Sequence, residues 1–186
     1  MARVTVDPQT FTMVNFDAAR IAVLAEAAAD AIGLPADIEV RVEVREASPL
    51  GRSRLESIDP ITLNVHGGAF ESTTEPRNLS DRAVNDVVGR LLFRAKDRLD
   101  PAFGDPPATD ELPLPASTAW DAYCLGRFSR LGYDVKKPRR LYHFRNRHGF
   151  TDVADATFER LWAADGLTWA DIEAACAETA AVTAAT

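Results

Sequence analysis

The 186-residue sequence predicts an α+β fold: a small mixed sheet packed by two long helices and followed by a helical C-terminal segment. Three observations carry this expectation. Residues 37–46, DIEVRVEVRE, alternate Ile38, Val40, Val42 and Val44 with charged residues, the period-two pattern of a strand with one wet face. Residues 16–32 and 81–99 instead repeat apolar side chains at three- and four-residue spacing, as amphipathic helices do. Between Pro101 and Pro115 the chain spends five prolines, and beyond them only helical patterns recur.

In chain order, ARVTV at 2–6 reads as a short terminal strand. FDAARIAVLAEAAADAI at 16–32 follows Asn15 as N-cap and stops at Gly33 and Pro35; being apolar over much of its circumference, it is expected to pack on more than one side. After the strand at 37–46 comes a polar loop through Pro49, Gly51 and Arg52, the turn Asp59-Pro60 and the strand ITLNV. Ser80 caps the next helix, whose stripe is Val84, Val87, Val88, Leu91, Leu92, Ala95 and Leu99. Residues 1–100 thus form one domain, 101–116 a Pro-rich linker, and 117–186 a helical segment. Its helices fall near 118–131, 155–163 and 169–181, the last opened by the capping box Thr168-x-x-Asp171.

A composition of 46% hydrophobic and 26% charged residues is that of an ordinary soluble domain. No apolar run reaches the roughly 20 residues that span a bilayer, and MARVTVDPQT lacks the apolar core of a signal peptide, so the expectation is a cytoplasmic protein without membrane contact. Cys124 and Cys176 each share a helix face with apolar residues and read as core positions. A net charge of −7 argues against the whole chain binding nucleic acid. Between Arg127 and His148, however, eight basic residues meet only Asp134, giving +7 there and −14 elsewhere.

The run Val65-His66-Gly67-Gly68 raises the question of an esterase oxyanion loop. That chemistry requires a G-x-S-x-G nucleophile elbow downstream, and the sole Gly-x-Ser, Gly51-Arg52-Ser53, lies upstream without its second glycine. The plainer reading is a strand end turned by two glycines. His143 and His148 stand about 140° apart on a helix and on opposite faces of a strand, so neither regular structure brings them to one metal ion; a loop that does so with His66 as third ligand is the alternative. P-loop and dinucleotide fingerprints are missing, so no cofactor is called for. Leu50-Gly51-Arg52-Ser53-Arg54 reads as a solvated loop, with an anion-holding backbone nest as the alternative.

The order of elements across residues 11–104 resembles the minimal zincin-like metallopeptidase family of bacteria: a helix before Gly33-Leu34-Pro35, the strand IEVRVEV, a polar loop, Asp59-Pro60, the strand ITLNV, and a long helix closed by Asp97-Arg98-Leu99-Asp100. In that family the last helix carries H-E-x-G-H, two zinc ligands and the general base. With the helix ends matched, the motif falls on Asp86, Val87, Val88, Gly89 and Arg90, and only the glycine agrees. The resemblance therefore implies a degenerate, metal-free domain without peptidase catalysis, in which Asp86 and Arg90 form a surface ion pair. It also implies that ITLNV is the strand on which a peptidase would lay its substrate as an added strand.

The basic segment VKKPRRLYHFRNRHGF, 135–150, interleaves arginines with aromatic rings. Its arginines have acidic surface elsewhere in the chain to meet, and they equally suit a protein partner or a phosphate backbone. The residues expected to bind are His66, Arg139, Arg140, His143, Arg145 and Arg147, with no catalytic or metal-ligating residue among them. The functional expectation is a non-enzymatic binding or scaffolding protein, joined to a protein partner or to itself more readily than to nucleic acid. A hydrolase with a site near His66, and an RNA- or phosphate-binding protein using 135–150, are the alternatives.

Overall fold

The computed structural model describes residues 2–184, and the chain divides into two compact units, Met1–Lys96 and Asp97–Thr186. The first unit contains strands β1 (Arg3–Asp7), β2 (Glu39–Arg45), β3 (Ser53–Ile58) and β4 (Ile61–His66) with helix α1 (Ala18–Ile32) and most of α2 (Asp81–Leu99). The strand order is β1-β2-β4-β3, with β1, β2 and β4 parallel and β3 antiparallel to β4, so the expected α+β architecture with a mixed sheet is found. Register sets the two faces. Val40, Val42 and Val44 lie beside Ile61, Leu63 and Val65, and with Val4, Val6 and Leu55 they make the buried face. The alternate residues make a polar face along which Arg41 pairs with Glu39 at 3.0 Å and Arg54 with Glu56 at 2.6 Å.

Helix α1 begins two residues later than expected: the carboxylate of Asp17, not Asn15, accepts from the backbone N–H of Ala19 and Arg20. It ends in a Schellman arrangement at Gly33 (φ 77°), where Gly33 and Leu34 donate to the carbonyls of Asp30 and Ala29. Lys96 on α2 donates to the Ile32 carbonyl at 2.6 Å, capping the same end. Contrary to expectation the helix buries a single face, Ile21, Ala25, Ala28, Ala29 and Ile32, and leaves Val23 53% exposed. Most of the remaining alanines, Ala19, Ala27 and Ala31 among them, face outward and supply helix propensity, not core. Ser80 caps α2 through its Oγ, which accepts from Ala83 N–H, and the predicted stripe from Val84 to Ala95 is buried, while Leu99 is exposed.

The second unit is built from α3 (Leu114–Arg130), α4 (Lys137–His148), α5 (Asp152–Ala163) and α6 (Trp169–Ala184). Helix α3 supplies much of the core through Ala119, Trp120, Tyr123, Cys124, Leu125 and Phe128. Gly126 lets α5 approach: a Cβ there would sit 2.0 Å from the Trp162 carbonyl oxygen. The capping box is formed as predicted, Asp171 accepting from Thr168 N–H at 2.7 Å and donating its own N–H to Thr168 Oγ1. Residues 101–113 are not a free linker. Phe103 is 4% exposed and stacks on Trp120 at 5.2 Å, while Arg98 donates to the carbonyls of Pro106 and Pro107. The prolines exclude helix there, yet the chain is held at Phe103 and at Pro106–Pro107 by aromatic and backbone contacts.

At the head of this unit Asp97 is buried, accepting from both terminal nitrogens of Arg127 at 2.8 and 2.6 Å and from the Trp120 indole N–H at 2.7 Å. Burial is the largest single influence and works against the Arg127 charge, but the bonds it donates to Asp97, together with the electrostatic attraction of Cys124, Asp97 and Tyr123, outweigh it and raise the guanidinium above its ordinary value. The Arg127 guanidinium also lies 3.8 Å over the Tyr123 ring. An Asp97→Ala protein strands this cation among aromatic rings and should lose about 3–5 kcal/mol. Because all three tryptophans lie in the second unit, urea unfolding followed by tryptophan fluorescence reads that loss directly.

Candidate functional site

His66 stands at the end of β4, where three strands finish in one row. Arg45 of β2 is its in-register neighbour on one side, and on the other its N–H donates to the Arg52 carbonyl at 2.9 Å, placing Arg52 opposite just before β3. Neighbours in register share a face, so Arg45, His66 and Arg52 project together from the polar side of the sheet. The ring Nδ1 is hydrogen-bonded to Ser48 Oγ at 2.8 Å. Ser48 reaches it because Gly67 and Gly68 form a single 3-10 turn against the backbone of residues 45–50. A Cβ at Gly68 would lie 2.0 Å from the Pro49 carbonyl oxygen, so the second glycine is required by close approach of two backbones, not by positive φ.

This geometry does not build an acyl-transfer centre. The Gly68 N–H, the natural oxyanion donor, is spent on the Ser48 carbonyl at 3.1 Å, and among the described residues no carboxylate orients the His66 ring. Partial burial, and then the positive field of Arg45, Arg52 and Arg54, hold the imidazole below its ordinary pKa. The arrangement favours a neutral histidine in a cationic setting. The expected solvated loop at 50–54 is in part a strand: Ser53 and Arg54 open β3.

The positions aligned with the zincin motif lie on α2. Val87, Val88 and Gly89 are buried, and Arg90, expected at the surface, is buried too, with Nη2 donating to Ser53 Oγ at 2.6 Å. No three His, Cys, Asp or Glu side chains among the described residues gather in a group able to hold a metal ion. Strand β4 has β2 on one edge and β3 on the other, so its backbone offers no edge for an added substrate strand.

The other expected binding residues lie on α4, which sequence reasoning read only as a basic segment. Pro138 sits in its first turn, where a missing N–H costs nothing. Arg145 turns inward to Asp155 at 2.7 and 2.5 Å, Lys137 bonds Glu159 at 2.6 Å, and Arg140 is half-buried, so part of the basic charge is met within the unit. Arg139, His143 and Arg147 point outward. Beside them Tyr142 is 57% and Phe150 65% exposed, their rings edge to face at 6.1 Å. Arg139 and Arg147 have no side-chain partner among the described residues.

No protein-family model, no curated protein and no solved structure matches this chain. No helix among the described residues is long and apolar enough to cross a membrane. Neither cysteine is placed for chemistry: both are thiols outside any disulfide, Cys124 is buried, and burial together with Glu173 pushes the Cys176 thiol up to about 11.

His148, the last residue of α4, was assigned no role from sequence and is 3% exposed, stacked on Phe144 at 3.8 Å. Its Nε2 lies 2.9 Å from the Pro115 carbonyl, which only accepts, so that nitrogen carries the proton and Nδ1 faces the Thr179 hydroxyl at 2.7 Å. Burial, against the opposing pull of the Pro115 carbonyl, holds its pKa below the usual histidine value. The unfolded chain therefore binds this proton more readily than the folded one. The stability contribution is complete above about pH 6.5 and is lost as pH falls from there toward the folded pKa. In thermal melts at about pH 7.5 and about pH 5, the His148→Gln protein should lose less stability on acidification than the parent, keeping the slope that His66 and the hydrogen-bonded carboxylates such as Glu46 supply in the same direction.

Proposed function

We propose that this chain is a binding protein without catalytic chemistry, and that the outward face of α4 takes an acidic segment of a protein partner. The observation that carries this is the combination of Arg139, Tyr142 and Arg147 on one exposed face of α4, with no acidic residue there and no side-chain partner for either arginine among the described residues, and the exposed Phe150 ring just past the helix end packed against Tyr142. Tyr, Phe and Arg without Lys is the composition of interface centres. The face is about two helical turns long, which suits a peptide segment. A protein partner is favoured over nucleic acid because the chain as a whole carries −7, which opposes a long polyanion but not a short acidic stretch. In the first unit, the order of elements supports a zincin-like scaffold, and Val87, Val88 and Arg90 in the motif positions support one that has given up its peptidase chemistry.

The test uses a labelled peptide of mixed Asp, Glu and Leu, followed by fluorescence anisotropy with the full chain. Binding should weaken at least about fivefold in Arg139→Ala/Arg147→Ala and again in Tyr142→Ala/Phe150→Ala. A single-stranded oligonucleotide bound more tightly than the peptide, with steep salt dependence and the same sensitivity to these variants, would move the proposal to nucleic acid. Indifference of both probes to both variants would remove α4 as the contact surface.

A further inference from the structure

We infer that the row Arg45–His66–Arg52, at the ends of β2, β4 and β3, is a binding site for a phosphoryl group. Four observations converge there. Register sets Arg45 beside His66 on the polar face, and the His66 N–H bond to the Arg52 carbonyl at 2.9 Å continues the β3–β4 pairing by one residue and sets Arg52 on the other side. Arg45 and Arg52 are exposed and have no side-chain partner among the described residues, so two guanidinium forks stand unpaired on either side of one imidazole. Ser48 occupies Nδ1 of that imidazole and leaves Nε2 without a partner among the described residues. The glycine pair presses the 45–50 backbone onto this corner, fixing Ser48 against the ring.

The surrounding charges leave a positive balance. From β2 the same face carries Arg45 and Glu43; from β3 and the residue before it, Arg52, Arg54 and Glu56. Glu56 is engaged by Arg54 at 2.6 Å, and Glu46, at the corner, is turned away to accept from the backbone N–H of Thr12 and Met13 at 2.8 Å each. Asp7 of β1 lies beyond Glu43 in the neighbouring row. Two arginine forks present donors in the planar geometry that suits phosphate oxygens, and a histidine between them donates a third bond from Nε2 when that nitrogen is protonated, as it always is in the imidazolium. A bound dianion would offset the cationic field that keeps His66 neutral, so ligand and proton should bind with mutual reinforcement.

The experiment is an NMR titration of the intact protein, reading the His66 ring signals while inorganic phosphate, phenyl phosphate or acetate is added. The expected result is saturable binding of both phosphates, preferred over acetate, with the His66 pKa moving upward in the complex. Arg45→Gln and Arg52→Gln should each weaken phosphate about tenfold or more, and both exposed positions leave the fold intact by circular dichroism. Inorganic phosphate binding as tightly as phenyl phosphate marks a free-anion site, and tighter phenyl phosphate a phosphate ester site; either supports the inference. Acetate equal to phosphate, or phosphate binding unchanged in the Arg45→Gln/Arg52→Gln double variant, overturns it. Arg139→Ala/Arg147→Ala must leave the titration unaltered, so failure of the α4 surface and failure of this site are told apart.

Discussion

The in-register parallel pairing of β2 with β4 is the constraint on which the first unit depends. One register sets Val40, Val42 and Val44 against Ile61, Leu63 and Val65, producing the buried face, and the same register sets Arg45 beside His66 on the other. A slip of one residue would exchange the two faces and bury the arginines. Core and candidate anion site are thus two readings of a single alignment of strands. Because β3 returns antiparallel along the far edge of β4, the third member of the row, Arg52, arrives through a hairpin closed at Asp59-Pro60. That hairpin also seals β4 on its second edge, so the strand that opens the His-Gly-Gly run has no free backbone edge and presents only its terminal side chain, His66, at the end of the row.

The second unit rests on a different principle. Its core is aromatic, with Trp120, Tyr123, Phe128, Phe144 and Phe158 buried around α3, and into it is set a pair of opposite charges, Asp97 and Arg127. Such a pair adds little net stability over apolar residues of the same size, since desolvation offsets most of the attraction. What it supplies is direction: the carboxylate is satisfied only when both guanidinium nitrogens and the Trp120 indole converge on it, a condition that apolar contacts do not impose. His148 sits in the same unit under the same rule, with each ring nitrogen aimed at a named oxygen.

How much of this the sequence revealed depended on whether a pattern was local. The alternation of 37–46, the stripe from Val84 to Ala95, the Ser80 cap and the Thr168/Asp171 box are interactions within a few residues, and they stand in the structure where periodicity and capping chemistry put them. Strand β3 escaped because SRLESI at an edge buries little besides Leu55 and so shows no alternation. Helix α4 escaped because its apolar positions are few and its first turn holds a proline. His66 stood out as a residue, but its companions did not: Ser48 is eighteen positions away, and Arg45 and Arg52 join it only through the register of three strands. Exposure of Tyr142 and Phe150, against burial of Phe144, is likewise a property of how α4 is seated and has no counterpart in composition.

Gly126 has a consequence for how this chain is compared with others. Its hydrogen in place of a side chain lets α3 and α5 meet backbone to backbone, with the Trp162 carbonyl where any Cβ would stand. Surface charges such as those of α4 are free to drift with a change of partner, and alanine-rich helices align with almost any helix. A position where two main chains touch admits no such drift. In any set of chains sharing this packing, the column holding Gly126 and the carbonyl partner thirty-six residues on is the fixed point from which an alignment of the second unit can be started.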